Sequence, residues 1–167
     1  MIYLIWSGIN MVILLYFFYL IIGFISKGKK IFKPQFKIAS IALMVIGIVQ
    51  IISATELDDN TNRISFVDNH EKMQGTGISQ MILENNLTFD IQMSVTYRVG
   101  ENEFIPIESY SNLNRFVIGF EWDCKSAAIN EKNLNGEIKY DISGVLKWNL
   151  FGINIYSQPK AFEGIIE

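Results

Sequence analysis

The longest stretch without charge lies at the amino-terminal end of the chain, where Met1 to Ser26 contains no acidic or basic side chain. About 20 apolar residues suffice for a helix to cross a hydrocarbon core about 30 Å thick. A second uncharged run extends from Ile38 to Thr55, and at about 1.5 Å per residue it reaches roughly 27 Å. The two runs predict a transmembrane hairpin over residues 1–55, with spans near residues 2–26 and 38–54 and a lysine-rich loop at residues 27–37.

Two other interpretations of these runs stay open. A helix in the core of a soluble protein can be equally apolar, although such a helix rarely lacks a charged face over 26 residues. The lysines followed by Ile38 to Ala54 also resemble the basic and hydrophobic regions of a signal peptide, but here another hydrophobic segment precedes them.

The charges divide the chain near Thr55. All 17 acidic residues and nine of the 14 basic residues lie in residues 56–167, which gives that part a net charge of −8. Such a domain repels nucleic acid, so we expect no DNA or RNA polymer as a partner, although a local basic pocket stays open. The 167 residues allow one β-rich domain, at residues 56–167, beside the anchor.

The five remaining basic residues lie together between the two apolar runs. Short lysine-rich loops stay on the cytoplasmic side of a membrane. This rule predicts a multi-pass protein of the bacterial inner membrane with both termini and the acidic domain outside the cytoplasm. The lysines are Lys27, Lys29, Lys30, Lys33 and Lys37.

Four polar or amphipathic residues stand out within the predicted spans. Tyr3 and Trp6 suit the headgroup zone, where amphipathic aromatic side chains settle. Counted from the lysine loop, Asn10 lies about 24 Å deep and Gln50 about 18 Å deep. The two amides are therefore expected to bond each other or partners in neighbouring copies, as hairpin glue, as a self-association contact or as a polar pore lining.

Residues 56–167 show the period-2 alternation of half-buried strands. It is clearest at residues 87–99, 114–124 and 137–150, and shorter candidates lie at residues 63–68, 76–83, 103–108 and 152–157. Predicted reversals between strands lie at Asn85-Asn86, Gly100 to Asn102, Ser111 to Asn114, Asn133 to Gly136 and Phe151-Gly152. Seven or eight strands favour an all-β domain, either a small antiparallel β-barrel or a barrel-like sandwich, with bulges at Gly119 and Gly144.

The residue types needed for common catalytic chemistry are scarce. The chain has one histidine, His70, and one cysteine, Cys124, too few for a conventional zinc site or an intrachain disulfide. No GxSxG elbow accompanies the histidine. We therefore expect no enzyme, no metal and no cofactor, and we expect Cys124 to be an inert thiol in the core.

Binding of a small ligand at one end of the β domain stays open, because a barrel mouth can hold one with a few cations and aromatic faces. Each candidate has an alternative role as a solvated surface charge or a core aromatic residue. The candidates are Arg98, Arg115, Trp122, Lys125, Lys147 and Tyr156.

Two membrane helices followed by a β-domain of this size resemble the two-transmembrane β-barrel effectors of CBASS anti-phage systems. The residues that carry the likeness are those of Phe116 to Trp122, Ser143 to Trp148, Phe151 to Tyr156 and Phe162 to Ile166, which look like that family's closing strands. The resemblance implies a cytoplasmic barrel that binds a cyclic di- or oligonucleotide and then oligomerises, so that its helices disrupt the inner membrane. A similar plan occurs in two-helix effectors of type III CRISPR systems, which respond to cyclic oligoadenylate.

The alternative function is an extracytoplasmic β module that is tethered to the envelope and binds a protein partner, including the case of an immunity protein. The lysine loop and the acidic domain favour this alternative, whereas the resemblance favours a cytoplasmic domain.

Overall fold

The computed structural model describes residues 1–32, 37–53, 62–66, 76–99, 104–129 and 138–166. The predicted reversals at Gly100 to Asn102 and Asn133 to Gly136, and also His70 and Lys33, lie outside these residues. The elements in chain order are α1 (Ile2–Lys27), a 3-10 turn (Gly28–Ile31), α2 (Lys37–Ser53), β1 (Arg63–Ser65), β2 (Thr76–Asn85), β3 (Phe89–Val99), β4 (Phe104–Arg115), β5 (Phe120–Ile129), β6 (Ile138–Leu150) and β7 (Ile153–Ile166).

The two uncharged runs both form helices. Within the described residues, one stretch, Ile2–Ile31, is long and apolar enough to cross a membrane by its length and composition, and Lys37–Val49 is a shorter apolar helix. α1 ends where Gly28 adopts a φ of 59°, a backbone conformation that glycine takes without steric cost.

The helices pack as an antiparallel pair. Phe24 near the end of α1 lies beside Lys37 at the start of α2, whereas Phe17 lies against Gly47 further along. A Cβ atom at Gly47 would overlap the Phe17 ring, so the glycine permits the close approach. The hydroxyl groups of Tyr16 and Ser40 are 2.9 Å apart and hydrogen-bonded.

The described strands form two antiparallel sheets, in the orders β1-β4-β3-β2 and β5-β6-β7. Of the two expected forms, a closed barrel is not found in these residues, which form a sandwich-like pair of sheets. The edges of β2 and β7 approach each other through an ion pair between Glu84 and Lys160, at 2.8 Å, instead of through a backbone ladder. The core lies between the two sheets.

Apolar side chains from alternate positions fill this core. Phe89, Ile91, Met93 and Val95 on β3 are buried, as the alternation at residues 87–99 predicts. From the second sheet they meet a matching set, which comprises Phe120, Trp122, Cys124, Ile142 and Leu146.

Strand boundaries depart from the predictions around β4 and β5. The expected strand at 114–124 is wrong, because residues 116–119 form a turn between the two sheets, and the expected reversal at Ser111 to Asn114 lies inside β4. Arg115 and Gly119 have φ values of 72° and 84°, which end the strands despite the continuing apolar alternation. Gly119 is therefore a turn residue and not a bulge, whereas the pairing does shift opposite Gly144.

Candidate functional site at the junction of helix and sandwich

Three turns lie at the same end of the sandwich, and α1 docks against them. They connect β2 to β3, β4 to β5 and β6 to β7, at residues 86–88, 116–119 and 151–152. We refer to the contact between these turns and the first part of α1 as the junction. The lysines of the helical loop begin at Lys27, at the other end of α1, about 26 Å beyond Asn10 at 1.5 Å per residue.

Tyr3 and Trp6 attach α1 to the core of the sandwich. The Tyr3 ring centroid lies 5.1 Å from that of Phe89 and 5.2 Å from that of Trp148. The indole N–H of Trp6 lies 3.2 Å from each of two backbone carbonyl oxygens, those of Gly119 and Asn149. Both side chains are therefore used in intramolecular packing, and their expected location in the headgroup zone stays a prediction.

Ser7 and Asn10 supply polar contacts one turn further along α1. The Ser7 hydroxyl donates to the carbonyl of Ile118 at 3.0 Å, and Asn10 Oδ1 accepts from the backbone N–H of Phe151 at 2.9 Å. Asn10 Nδ2 donates to the carbonyl of Trp6 at 3.2 Å. Both polar atoms of Asn10 thus have partners in the same chain, and the expected bond to Gln50 stays a prediction because the Gln50 side chain lies outside the described residues.

These four residues follow a helical spacing that the sequence contains. Positions 3, 6, 7 and 10 lie on one face of a helix, because residues three and four apart are neighbours there. The spacing of these residues could therefore be seen in the sequence. It did not distinguish a helix face that contacts lipid from one that contacts protein, because both contacts favour similar residues in so hydrophobic a run. The same face continues through Phe17 and Leu20, both of which are 1% exposed.

Lys160 forms a charged contact at the rim of the junction. Its ammonium group lies 2.8 Å from Glu84 Oε2 and 3.2 Å from the hydroxyl of Tyr3. Burial by itself lowers the pKa of Lys160, but the hydrogen bonds to Glu84 and Tyr3 outweigh it, so the pKa lies above its ordinary value. The ion pair therefore links α1 to both sheets.

An apolar groove of about 370 Å³ lies beside the junction, between the helices and the turns. Its lining includes Leu14, Phe17, Gly47, Ile118 and Phe151. The Phe17 and Phe151 ring centroids are 5.1 Å apart, so the β6–β7 turn lies directly against α1.

Arg115, one of the predicted ligand residues, stabilises the turns. Its Nε lies 2.7 Å from Oδ2 of Asp90, whose side chain is only 4% exposed. Its Nη1 donates to the carbonyl of Asn86 at 3.2 Å. The guanidinium therefore compensates a buried carboxylate.

Lys125 and Lys147 lie together on the outer face of the second sheet, where acids neutralise them. Asp123 is 2.7 Å from Lys125 and 3.2 Å from Lys147, and Glu121 is 2.8 Å from Lys147. The hydrogen bond to Glu121 is the main cause of a raised pKa at Lys147. For Asp123, burial raises the pKa, but the two lysines outweigh it and the net pKa is lowered.

The other candidates occupy separate places. Trp122 belongs to the core and donates through its indole N–H to Ser111 Oγ at 2.9 Å. Tyr156 is 56% exposed beside Trp148, and Arg98 lies on β3 opposite Thr76. Of the six predicted residues, only Lys125 and Lys147 share a common ionic partner among the described contacts, and a binding role for the set stays a prediction.

Cys124 lies in the core, at 7% exposure, where the sequence placed it. Burial raises the pKa of its thiol, which keeps the sulfur protonated and unreactive near neutral pH.

No protein-family model and no curated protein matches the chain. A solved two-domain protein of unknown function from Bacteroides thetaiotaomicron is similar over part of the fold, with 13% sequence identity and a TM-score of 0.40. The similarity covers 54% of this chain and 46% of that protein, so this chain spans about half the length of the structure that it matches.

Proposed function

We propose that this protein is a membrane-anchored recognition module, in which a two-pass helical hairpin holds the β-sandwich at the extracytoplasmic surface of the cell membrane, where it binds a protein partner. The observation that carries the proposal is the placement of the sandwich and the lysines at opposite ends of α1. Because lysine-rich loops stay in the cytoplasm, the sandwich lies outside.

The hairpin offers a lipid-facing surface. Most large apolar side chains of α1 point away from the protein, and Ile5, Val12 and Ile22 are each more than 60% exposed. Exposed apolar area on this scale is typical of a surface that contacts lipid or protein. α2 crosses as the second span, and its 17 residues reach about 26 Å, which local thinning of the bilayer accommodates.

The outer face of the four-stranded sheet is the surface that we assign to the partner. One row across all four strands comprises Gln80, Ser94, Tyr110 and Arg63. Arg63 is neutralised by Glu108, with N–O distances of 2.9 and 3.0 Å. In a domain of net charge −8, this row presents hydroxyl, amide and aromatic groups, the chemistry of protein interfaces depleted in charge.

Three of the four cations predicted to bind a ligand favour a protein partner over a polyanion. Arg115, Lys125 and Lys147 each have an acidic partner within 2.8 Å. A phosphate ligand would have to displace those carboxylates, which repel it.

Labelling of single cysteines in intact cells tests the orientation. In a Cys124→Ala background, we expect Ala128→Cys on β5 to react with a membrane-impermeant maleimide in whole cells. Ser26→Cys, beside the lysine loop, should react only after permeabilisation. The reverse pattern would refute an extracytoplasmic sandwich.

Photo-crosslinking tests the partner surface. A photoreactive amino acid at Tyr110, which is 40% exposed, should give one adduct of discrete mass in cells. The matched control is Tyr156, which is more exposed and lies on the other sheet. Equal or absent adducts at the two positions would contradict the assignment.

A second candidate function follows from the resemblance, namely an anti-phage effector whose cytoplasmic β domain binds a cyclic nucleotide and whose helices oligomerise and disrupt the inner membrane. The direct attachment of α1 to the core favours it, because a ligand that shifts the sandwich would move the span without an intervening linker. Protection of Ala128→Cys in intact cells, with binding of cyclic dinucleotides by the full-length protein in detergent, would select this candidate.

A further inference from the structure

The turns at the junction end carry large apolar side chains that the protein leaves exposed. Leu87, at the tip of the β2–β3 turn, is 81% exposed, and Phe116, in the β4–β5 turn, is 43% exposed. Ile153 and Ile155 follow the β6–β7 turn, and they are 45% and 56% exposed. Turns normally present polar residues to water, so apolar residues at three neighbouring turns are typical of a surface that contacts lipid or protein.

The depth of these turns relative to the membrane can be measured along α1. With Lys27 at one boundary, a hydrocarbon core about 30 Å thick extends back about 20 residues, to the region of Gly8. If the bilayer is thinned to the length of α2, about 26 Å, the same boundary lies near Asn10. Ser7 holds the carbonyl of Ile118, and Asn10 holds the N–H of Phe151, so the β4–β5 and β6–β7 turns lie at the boundary itself.

Several backbone N–H groups in and beside the turns have hydrogen-bond partners within the protein. Asn86 Oδ1 accepts hydrogen bonds from the N–H groups of Thr88 and Phe89, both at 2.9 Å. The N–H of Phe116 donates to the carbonyl of Thr88 at 3.0 Å, which ties two of the turns together. Polar backbone groups that already have partners enter a region of low dielectric constant at small cost.

We propose that the junction end of the sandwich is itself a membrane-binding surface, whose apolar tips, Leu87, Phe116, Ile153 and Ile155, insert into the interfacial layer of the phospholipid bilayer. The proposal rests on the hairpin anchor of the proposed function and adds a second contact with lipid. The consequence is that the sandwich contacts the membrane through three turns as well as through α1.

Environment-sensitive fluorescence at single cysteines tests the insertion. In a Cys124→Ala background of the full-length protein, Leu87→Cys, Phe116→Cys and Ile153→Cys are each labelled with a nitrobenzoxadiazole probe and reconstituted in phosphatidylcholine and phosphatidylglycerol vesicles. The control is Ile78→Cys, an isoleucine on β2 that is 66% exposed and lies about 23 Å from the tip end of that strand.

We expect the three tip probes to emit at shorter wavelength than the control and to be quenched several-fold more strongly by lipids with a nitroxide near the headgroup. Tip probes that match residue 78 while the protein remains in the vesicles would overturn the insertion and leave the anchor intact. Failure of the unlabelled protein to enter vesicles would overturn the anchor and the insertion together. All four positions are exposed, and the tryptophan emission of each variant verifies its fold.

Discussion

Gly119 is the position where a single methyl group tests the docking of α1 on the sandwich. A Cβ atom there would lie 2.5 Å from Asn10 Nδ2 and 2.8 Å from Asn10 Cγ. Its φ of 84° adds a backbone cost of about 1 to 2 kcal/mol for any residue with a side chain. The overlap adds about 1 to 3 kcal/mol, as overpacking in a filled site does. We therefore expect Gly119→Ala to lower the free energy of unfolding by about 2 to 5 kcal/mol.

A double-mutant cycle with Asn10 separates the two costs. Asn10→Ala alone leaves the N–H of Phe151 without its acceptor, which costs about 1 to 3 kcal/mol. In that background the methyl group at position 119 no longer meets the amide, so the backbone cost and the approach of 3.1 Å to the carbonyl oxygen of Asn149 remain. The two substitutions should therefore be less than additive by about 1 to 3 kcal/mol.

Urea unfolding of the full-length protein in a mild detergent measures this coupling. Trp6, Trp122 and Trp148 lie in the junction or the core, so their fluorescence reports both. The matched control is Asn154→Ala, an exposed asparagine on β7, for which we expect a change within about 0.5 kcal/mol. Additivity of Gly119→Ala and Asn10→Ala within about 0.5 kcal/mol would refute the described contact between α1 and the β4–β5 turn.

Three further predictions concern the core, the turns and the rim of the junction. Trp122→Phe removes the indole donor from the buried Ser111 Oγ and should cost about 1 to 3 kcal/mol in the same unfolding assay, part of which Ser111→Ala restores in the double variant. Arg115→Ala leaves the buried Asp90 carboxylate without its cation and should cost about 2 to 4 kcal/mol, less than for a fully buried pair because Arg115 is half exposed. An added Asp90→Asn should recover part of this loss. A loss below about 0.5 kcal/mol would contradict the pairing. Because the pKa of Lys160 is raised, its contribution to stability is fully present below about pH 10.4 and is lost as the pH rises through the higher folded-state pKa. Unfolding midpoints of the wild-type protein and Lys160→Met should therefore converge at high pH, and a constant difference would exclude this linkage.

Helices and strands with a regular pattern were predicted well from the sequence, because such a pattern depends only on residues that are neighbours in the chain. The uncharged runs gave both helices to within a few residues, and the alternation at residues 87–99 and 137–150 gave β3 and β6. The same local signal failed at Phe116 to Gly119, because apolar alternation continued through a turn whose direction depends on the left-handed backbone of Arg115 and Gly119. The strand predicted at residues 152–157 was also shorter than β7, which extends to Ile166. There Pro159 and a face that mixes polar and apolar residues obscure the alternation.

What the sequence determined by itself is the division into an apolar, acid-free amino-terminal part and an acidic β-rich part, since each is a property of neighbouring residues. Only the tertiary structure decided that the β2 and β7 edges meet through side chains instead of closing a barrel, and that Trp6 and Asn10 belong to the sandwich. The indole of Trp6 bonds carbonyl groups 113 and 143 residues away. The apolar surface of a helix can pack equally well against lipid or against a protein core. Which of the two it contacts is therefore decided by the chain topology and by polar groups that need specific hydrogen-bond donors and acceptors.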